Sequence, residues 1–326
     1  MRNTPRTMDE FELIRRYFVR PARADGVLVG IGDDGAVLMP TPGRALVSVV
    51  DTLVEGVHWP AELPPADVGF RAVAVNVSDV AAMGGRPRWM TLTLTLPAAD
   101  EQWLMPFAEG LLAAADAYDT QLAGGDVTRG GQTVISVQIT GEVDTRHVLP
   151  RSGARPGHRI YVTGTPGDAA AGLRLIRDAS IDARTEDREF LIARWARPEI
   201  HVGFAESIAP FAGGTIDVSD GLFADAGKLL AASGAGGRIE TTALPRSAAL
   251  RRVFGESEAV RLALAGGEDY ELCFTADPVH EDAVFESAES NGTSVARIGT
   301  VTEGSSLVLT RDGREVPFAD PGYRHF

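Results

Sequence analysis

One cysteine, Cys273, and one lysine, Lys228, stand in 326 residues. A single thiol excludes an internal disulfide framework and fits a reducing cytoplasm. Cys273 sits in the run Tyr270-Glu271-Leu272-Cys273-Phe274, which reads as a strand with a buried, inert thiol. Arginine supplies the other 30 of the 31 basic residues, so Schiff-base and P-loop lysine chemistry share one candidate. No run of about 18 apolar residues occurs, so no membrane-spanning helix is expected. The stretch Met1 to Glu10 is polar and lacks an apolar signal core. Positive charge is also in short supply. The formal net charge of −14 argues against a nucleic-acid partner. Such a chain repels anionic substrates unless bound cations invert the local field.

What is present is an ordinary globular composition, 44% hydrophobic and 23% charged, in a length that suits two domains. Its most informative feature is the repeated pairing of acids with glycines. Gly32-Asp33-Asp34-Gly35, Gly124-Gly125-Asp126, Asp217-Val218-Ser219-Asp220-Gly221 and Gly266-Gly267-Glu268-Asp269 all show it. Glycine lets a backbone turn tightly and approach a ligand, and aspartate oxygens are hard ligands suited to Mg²⁺. Turns of this kind, spread along the chain, point to a multi-metal site for a polyphosphate.

Three other motifs fail on context. Gly30-Ile31-Gly32-Asp33-Asp34-Gly35 matches the dinucleotide fingerprint, but the following Ala36 to Pro40 is too short for the required helix, and its aspartates repel a bare pyrophosphate. Gly221 to Lys228 resembles a Walker loop, but five residues separate Gly221 from Gly227, and Leu229 stands where Ser or Thr should bind Mg²⁺. The six histidines form no HExxH-type pair, which argues against a zinc protease.

Periodicity predicts two α/β halves, with a boundary in the Pro/Gly-rich stretch Arg151 to Gly157. In the first half it predicts helices over 9–20, 67–83 and 101–118, and strands over 45–50, 89–96 and 133–141. In the second it predicts strands over 159–163, 215–218, 237–240, 269–275, 294–301 and 306–310. Helices are predicted there over 168–177, 187–209 with a break at Pro198, and 222–232.

Each acid has a bland alternative. Asp33 and Asp34 could simply shape a turn. Asp51 follows the apolar run Leu46 to Val50, which puts it at a strand's carboxyl end, where α/β sheets hold ligands. Asp79 falls within an otherwise buried-looking helix, where a charge needs a partner or a metal. Gly124 and Gly125 leave room for a phosphate beside Asp126. Ser219 or Asp220 either caps the next helix or brings its free N–H groups to a phosphate, and both can hold together. Taken singly, Cys273 reads as a buried thiol and His58 as a surface loop histidine, while Tyr323 could pack on the core as readily as stack on a ligand.

In order and spacing these stretches resemble the thiamine-monophosphate kinase family, within the superfamily of aminoimidazole ribonucleotide synthetase and selenophosphate synthetase. The matching segments include 30–34, Asp51-Thr52-Leu53-Val54 with His58, 74–84, 124–130, 151–154, 161–168, 217–222, 266–272 and the tail Gly322 to Phe326. The resemblance implies an α/β (α+β) two-domain fold of the aminoimidazole ribonucleotide synthetase type. Residues 1–150 would form the ATP/Mg-binding and dimerisation domain, and residues 151–326 the C-terminal α/β domain. It implies ATP-dependent phosphorylation of thiamine monophosphate to thiamine diphosphate by a cytoplasmic homodimer pairing through its N-terminal sheets. Mg²⁺ would be held by Asp34, Asp51, Asp79, Asp126, Asp217 and Asp220. ATP would meet Gly125, Asp126, Arg151 and Ser219, and the thiamine phosphate His58, Glu268 and Tyr323. Asp126, Arg151 and Asp220 would serve the chemistry directly.

Two departures bear on that implication. The family commonly carries Ser-Thr-Asp where this chain has Val49-Val50-Asp51, so only the Val50 carbonyl is left as a ligand there. Its usual Tyr-Asp-His-Phe ending carries Arg324 in place of the Asp. A selenophosphate synthetase would need a reactive N-terminal cysteine or selenocysteine with a nearby lysine, and the N-terminal half has neither; a hydrogenase-maturation relative would need a C-terminal cysteine, whereas this chain ends in His325-Phe326. The remaining alternative is a protein that binds Mg-nucleotide without turnover, with the two valines marking decay.

Overall fold

The computed structural model describes residues 9–20 and 26–320, which divide into two compact units. The first comprises residues up to Val77 together with Pro87–Glu142, and the second Ser78–Arg86 together with Val143 onward.

The first unit opens with α1 (Glu10–Tyr17), N-capped by Asp9, whose carboxylate accepts the Glu12 N–H at 2.8 Å. A small antiparallel pair follows, β1 (Val27–Val29) and β2 (Val37–Leu38), with the Gly-Asp loop between its strands. Next come β3 (Arg44–Val54), α2 (Pro65–Ala82), β4 (Arg86–Leu96), α3 (Glu101–Ala117), β5 (Gln121–Arg129) and β6 (Val134–Asp144). The four longer strands form one sheet in the order β3-β6-β4-β5. Strict alternation makes it two-faced. Leu92, Leu94 and Leu96 of β4 and Ile135, Val137 and Ile139 of β6 are buried, while Ser136, Gln138 and the β4 threonines face outward. Helices α2 and α3 approach closely at two glycines: a Cβ on Gly110 would stand 1.8 Å from the Ala66 carbonyl oxygen, and one on Gly69 2.2 Å from that of Phe107. No larger residue fits this contact without separating the helices.

The second unit is built on a seven-stranded sheet. Its elements are β7 (Arg159–Thr163), α4 (Asp168–Arg177), α5 (Thr185–Ala196), α6 (Val202–Ile208), β8 (Ala212–Asp217), α7 (Leu222–Ala232), β9 (Gly236–Glu240), α8 (Ala248–Ala265), β10 (Leu272–Ala276), α9 (Glu281–Ser290), β11 (Val295–Thr302), β12 (Leu307–Arg311) and β13 (Arg314–Val316). The order is β13-β12-β9-β11-β7-β10-β8, with β12 parallel to β9 and the other neighbours antiparallel. One core gathers Ile160, Val162, Ile216, Val218, Leu229 and Cys273 around the sheet and α7. Cys273 is fully buried, and burial pushes its thiol up to about 12, which keeps it inert.

Three strand predictions need correction. Strand β3 continues through Asp51 to Val54, so Asp51 lies within the strand and not at its end. The apolar run stops at Val50, but the alternation 47, 49, 51, 53 carries on. Strand β5 was not predicted at all, because Gly124-Gly125-Asp126 has the composition of a turn. Strand β10 starts at Leu272, not at 269, because Glu268 and Tyr270 have φ of 66° and 54°.

Candidate active site

In the first unit, Asp33 and Asp34 lie exposed in the loop joining β1 to β2. An Asp33 carboxylate oxygen accepts the Asp34 N–H at 2.9 Å, the local turn bond that aspartate favours. Asp51 is half-buried on the same face of β3 as Val47 and Leu53. Its N–H donates to Oδ1 of Asn76 at 2.9 Å, and the fully buried Asn76 side chain donates in turn to the Ala72 carbonyl at 3.0 Å. Asn76 thus fixes β3 against α2 at the position of the acid. Burial raises the pKa of Asp51, opposed by the charge of His58. His58 Nδ1 accepts the Val54 N–H at 3.0 Å, so in the neutral ring Nε2 carries the proton. Val50 is 62% exposed on the opposite face of β3 from Asp51, whereas Val49 shares the Asp51 face.

Asp126 is exposed on β5, paired in register with Thr93 of β4. Gly125 has a reason other than phosphate access. A Cβ there would stand 1.9 Å from the Leu92 carbonyl oxygen of the paired strand. Beyond Asp126 a cleft of about 420 Å³ opens, lined by Leu13, Leu96, Pro97, Val127, Thr128 and Arg129.

In the second unit the acids are tied together. Asp217, the last residue of β8, is buried and accepts the hydroxyl of fully buried Ser78 at 2.8 Å. Asp79 follows Ser78 in the last turn of α2 and is half-buried. After Asp217 the backbone is laced to the Gly-Glu-Asp segment: Val218 N–H donates to Glu271 O, Tyr270 N–H to Val218 O and Glu268 N–H to Ser219 O, each at 2.8 Å. These bonds hold Glu268 and Tyr270 in left-handed conformations that bulky residues seldom adopt. Asp269, buried, accepts the N–H groups of Gly167 at 2.8 Å and Ala169 at 3.2 Å and so caps α4, while burial raises its pKa. Glu271 is buried among Arg194, His201 and Thr163. Of the three acids in this segment, Asp269 holds backbone N–H groups, Glu271 is tied to side chains, and Glu268 is the half-buried one.

Neither Ser219 nor Asp220 caps α7. Gly221, with φ of 117°, is the N-cap, and no side chain caps it. Oδ2 of buried Asp225 accepts the N–H of Ser219 at 3.0 Å and of Asp220 at 2.9 Å, so those two donors are already engaged. Lys228 bridges Asp225, at 2.7 Å, and Asp220. Sequence reasoning passed over Asn76, Asp225 and the pairing of Asp225 with Lys228. A polar residue in the apolar run Ala72 to Val77 marked the first, and the three-residue spacing of an acid and the sole lysine on the predicted helix marked the pairing. The exposed Arg151 directly follows Pro150, which is pinned beside β8 by the Thr215 N–H donating to its carbonyl at 3.1 Å. Tyr323 lies outside the described residues. Among the described residues no three His, Cys, Asp or Glu side chains gather closely enough to hold a metal.

Comparison with known proteins places this arrangement in a class. The family model of the AIR synthase related protein N-terminal domain matches residues 32–143, and that of its C-terminal domain residues 155–312. The two-domain fold is therefore that of the AIR synthase related proteins. The thiamine-monophosphate kinase of Salmonella typhimurium is 44% identical over 320 residues, covering 97% of this chain and 98% of that one. The crystal structure of thiamine-monophosphate kinase from Stenotrophomonas maltophilia matches with a TM-score of 0.83 at 42% identity, covering 90% of this chain and 93% of its own. AaThiL complexed with AMPPCP and TMP matches at a TM-score of 0.76 and 34% identity, covering 90% and 91%. The chain belongs to the thiamine-monophosphate kinase family.

Proposed function

We propose that this protein transfers the γ-phosphoryl group of ATP to thiamine monophosphate, giving ADP and thiamine diphosphate. The observation that carries this reading is the frame of the second unit. Asp217, Ser219 and Glu268 are fixed by backbone bonds between the same two segments, so residues for the nucleotide and for the acceptor stand on one rigid support. Full-length likeness to kinases of that name, one of them in complex with an ATP analogue and TMP, supports it further.

A terminal phosphate oxygen of thiamine monophosphate attacks the γ-phosphorus of ATP in line. The bond from that phosphorus to the β,γ-bridging oxygen breaks, and ADP leaves. The attacking group is a phosphate monoester with a second pKa near 6, so it is mostly ionised and needs no strong general base. The task is to hold two polyanions together in a productive geometry. Arg151 offers a guanidinium to the transferred group. The residues proposed for the acceptor are His58 for its phosphate and Glu268 and Tyr323 for its cationic ring, an aromatic side chain being suited to a cation–π contact. The cleft beyond Asp126 suits the nucleoside. Val127 to Arg129 extend about 10 Å along β5 at roughly 3.3 Å per residue, about the reach from phosphates to base.

The donors proposed for Mg²⁺ are Asp34, Asp51, Asp79, Asp126, Asp217 and Asp220 with the Val50 carbonyl, and each offers the hard oxygen that Mg²⁺ prefers. The half-buried Asp51 carboxylate is one that a cation would stabilise in its charged form. When bound, Mg²⁺ supplies charge neutralisation at the phosphate oxygens. We propose residues 1–150 as the ATP/Mg-binding and dimerisation domain and 151–326 as the C-terminal α/β domain. A homodimer is supported by Leu46 and Val50, 54% and 62% exposed on the open face of the edge strand β3. A cytoplasmic location agrees with ATP as co-substrate and with the buried free thiol.

The test is incubation of purified protein with ATP, Mg²⁺ and thiamine monophosphate, with products separated by chromatography. ADP and thiamine diphosphate in equal amounts, abolished by EDTA, are expected. ADP alone would mean another acceptor. Nucleotide binding without turnover would make the protein a silent Mg-nucleotide binder.

A further inference from the structure

Lys228, the sole lysine, sits on Asp220 and Asp225 together. The two carboxylates differ. The Asp225 side chain is 1% exposed and commits Oδ2 to two backbone N–H groups of the nucleotide turn, whereas that of Asp220 is 34% exposed. The Lys228 side chain is 43% exposed and so has room to move. A compact ammonium on a four-carbon stem resembles a metal cation more than a planar guanidinium does.

We infer that Lys228 is an internal stand-in for a divalent cation at Asp220. It holds the turn in the ligand-free protein and yields Asp220 when the metal arrives with the nucleotide. Asp225 makes the exchange feasible. After release the ammonium still has its bond to Asp225, so the buried carboxylate is never left without a cation. The backbone N–H groups of Ser219 and Asp220 stay on Asp225 throughout, so the turn keeps its shape while the charge on Asp220 changes hands. The inference rests on the proposed reading of Asp220 as a metal ligand. It adds that the chain carries its own competitor for that site and positions the turn through it.

The test is Mn²⁺ binding to the full chain without nucleotide, followed by electron paramagnetic resonance, alongside thermal unfolding with and without Mg²⁺. In Lys228→Gln the amide keeps a hydrogen bond to Asp225 but loses the competing charge. Mn²⁺ affinity at the site that Asp220→Asn abolishes should rise about fivefold, at the low end of typical site couplings. The stabilisation conferred by Mg²⁺ should exceed that of the parent, and Lys228→Arg should stay close to the parent. Unchanged or weaker Mn²⁺ binding in folded Lys228→Gln overturns the exchange. If Asp220→Asn removes no Mn²⁺ site, the metal role of Asp220 fails and the exchange with it, while the product assay still decides the kinase reading separately. Lys228→Met serves as the second variant, with the same two outcomes, should the glutamine protein not fold.

Discussion

Two aspartate turns of nearly the same composition have opposite constructions. Asp33 and Asp34 of Gly32-Asp33-Asp34-Gly35 lie exposed, joined by the local bond from Asp34 N–H to the Asp33 carboxylate. Asp217-Val218-Ser219-Asp220-Gly221 is held by Ser78, by Asp225 with Lys228, and by three backbone bonds to the Glu268–Glu271 segment. The first can do little for stability, so its acids are explained by what they bind. The second does both, and a substitution there mixes loss of ligand with loss of fold. The contrast shows why an Asp-Gly pair cannot be assigned from composition: turn chemistry is the same in both, and the neighbours differ.

The largest expected effect separates the two turns. Asp34→Ala should lower turnover roughly 100-fold or more, the scale of losing one electrostatic stabiliser of a phosphoryl transition state. Its stability should stay within about 0.5 kcal/mol of the parent, as for an exposed substitution. Asp217→Ala should lose comparable activity and also leave the buried Ser78 hydroxyl without that acceptor. That costs about 1–3 kcal/mol, or roughly 2–4 °C in Tm per kcal/mol for a domain of this size. Equal melting temperatures for the two variants would erase the distinction.

A second test probes the buried network next to the ordered turn. Asp168 is fully buried, and burial pushes its pKa up to about 6, against the hydroxyls of Ser247 and Thr165 and the charge of Arg194. Between about pH 4 and about pH 6 the folded chain keeps a proton on Asp168 that the unfolded chain has released. Stability therefore falls as pH rises through that window and levels off above it. Asp168→Asn, uncharged throughout, should lack this fall. Relative to the parent it should gain on the order of 2–3 kcal/mol between about pH 4.5 and about pH 7.5, read from urea midpoints. A difference that is the same at both pH values would remove Asp168 as the titrating group.

The same contrast governs what the sequence showed. Helices α2, α3, α4 and α7 and the strand Thr91 to Leu96 were readable because their apolar residues recur at 3.6 or 2. Strand β5 was not, because Gly125 answers to the Leu92 carbonyl of a neighbouring strand and not to its own segment. Left-handed Glu268 and Tyr270 were hidden for the same reason: the bonds that hold them come from Val218 and Ser219, about 50 residues earlier. Most of the acids were singled out by their glycine neighbours, Asp51 and Asp79 by their apolar surroundings, and their roles came from resemblance to a family. Which acids are structural became visible only with their partners. Asp269 caps α4, Asp225 takes two N–H groups, and neither bond is local in its own element's pattern.

The smallest effect concerns Val49 and Val50, and it sharpens the reading of the exposed unit. Alternation along β3 puts Val49 on the face of Asp51 and Val50 on the other, where it is 62% exposed. A hydroxyl restored at 49 therefore stands beside the carboxylate, while one at 50 points away from it. Val49→Ser is expected to lower the Mg²⁺ concentration for half-maximal turnover by about twofold to threefold, a fraction of the roughly 1.4 kcal/mol that a tenfold change represents. Val50→Thr is expected to leave it unchanged, since the Val50 carbonyl is present either way. If Val50→Thr gives the larger shift, a side-chain ligand is drawn from the open face of β3, and the metal position at this strand lies on the side opposite Asp51's carboxylate.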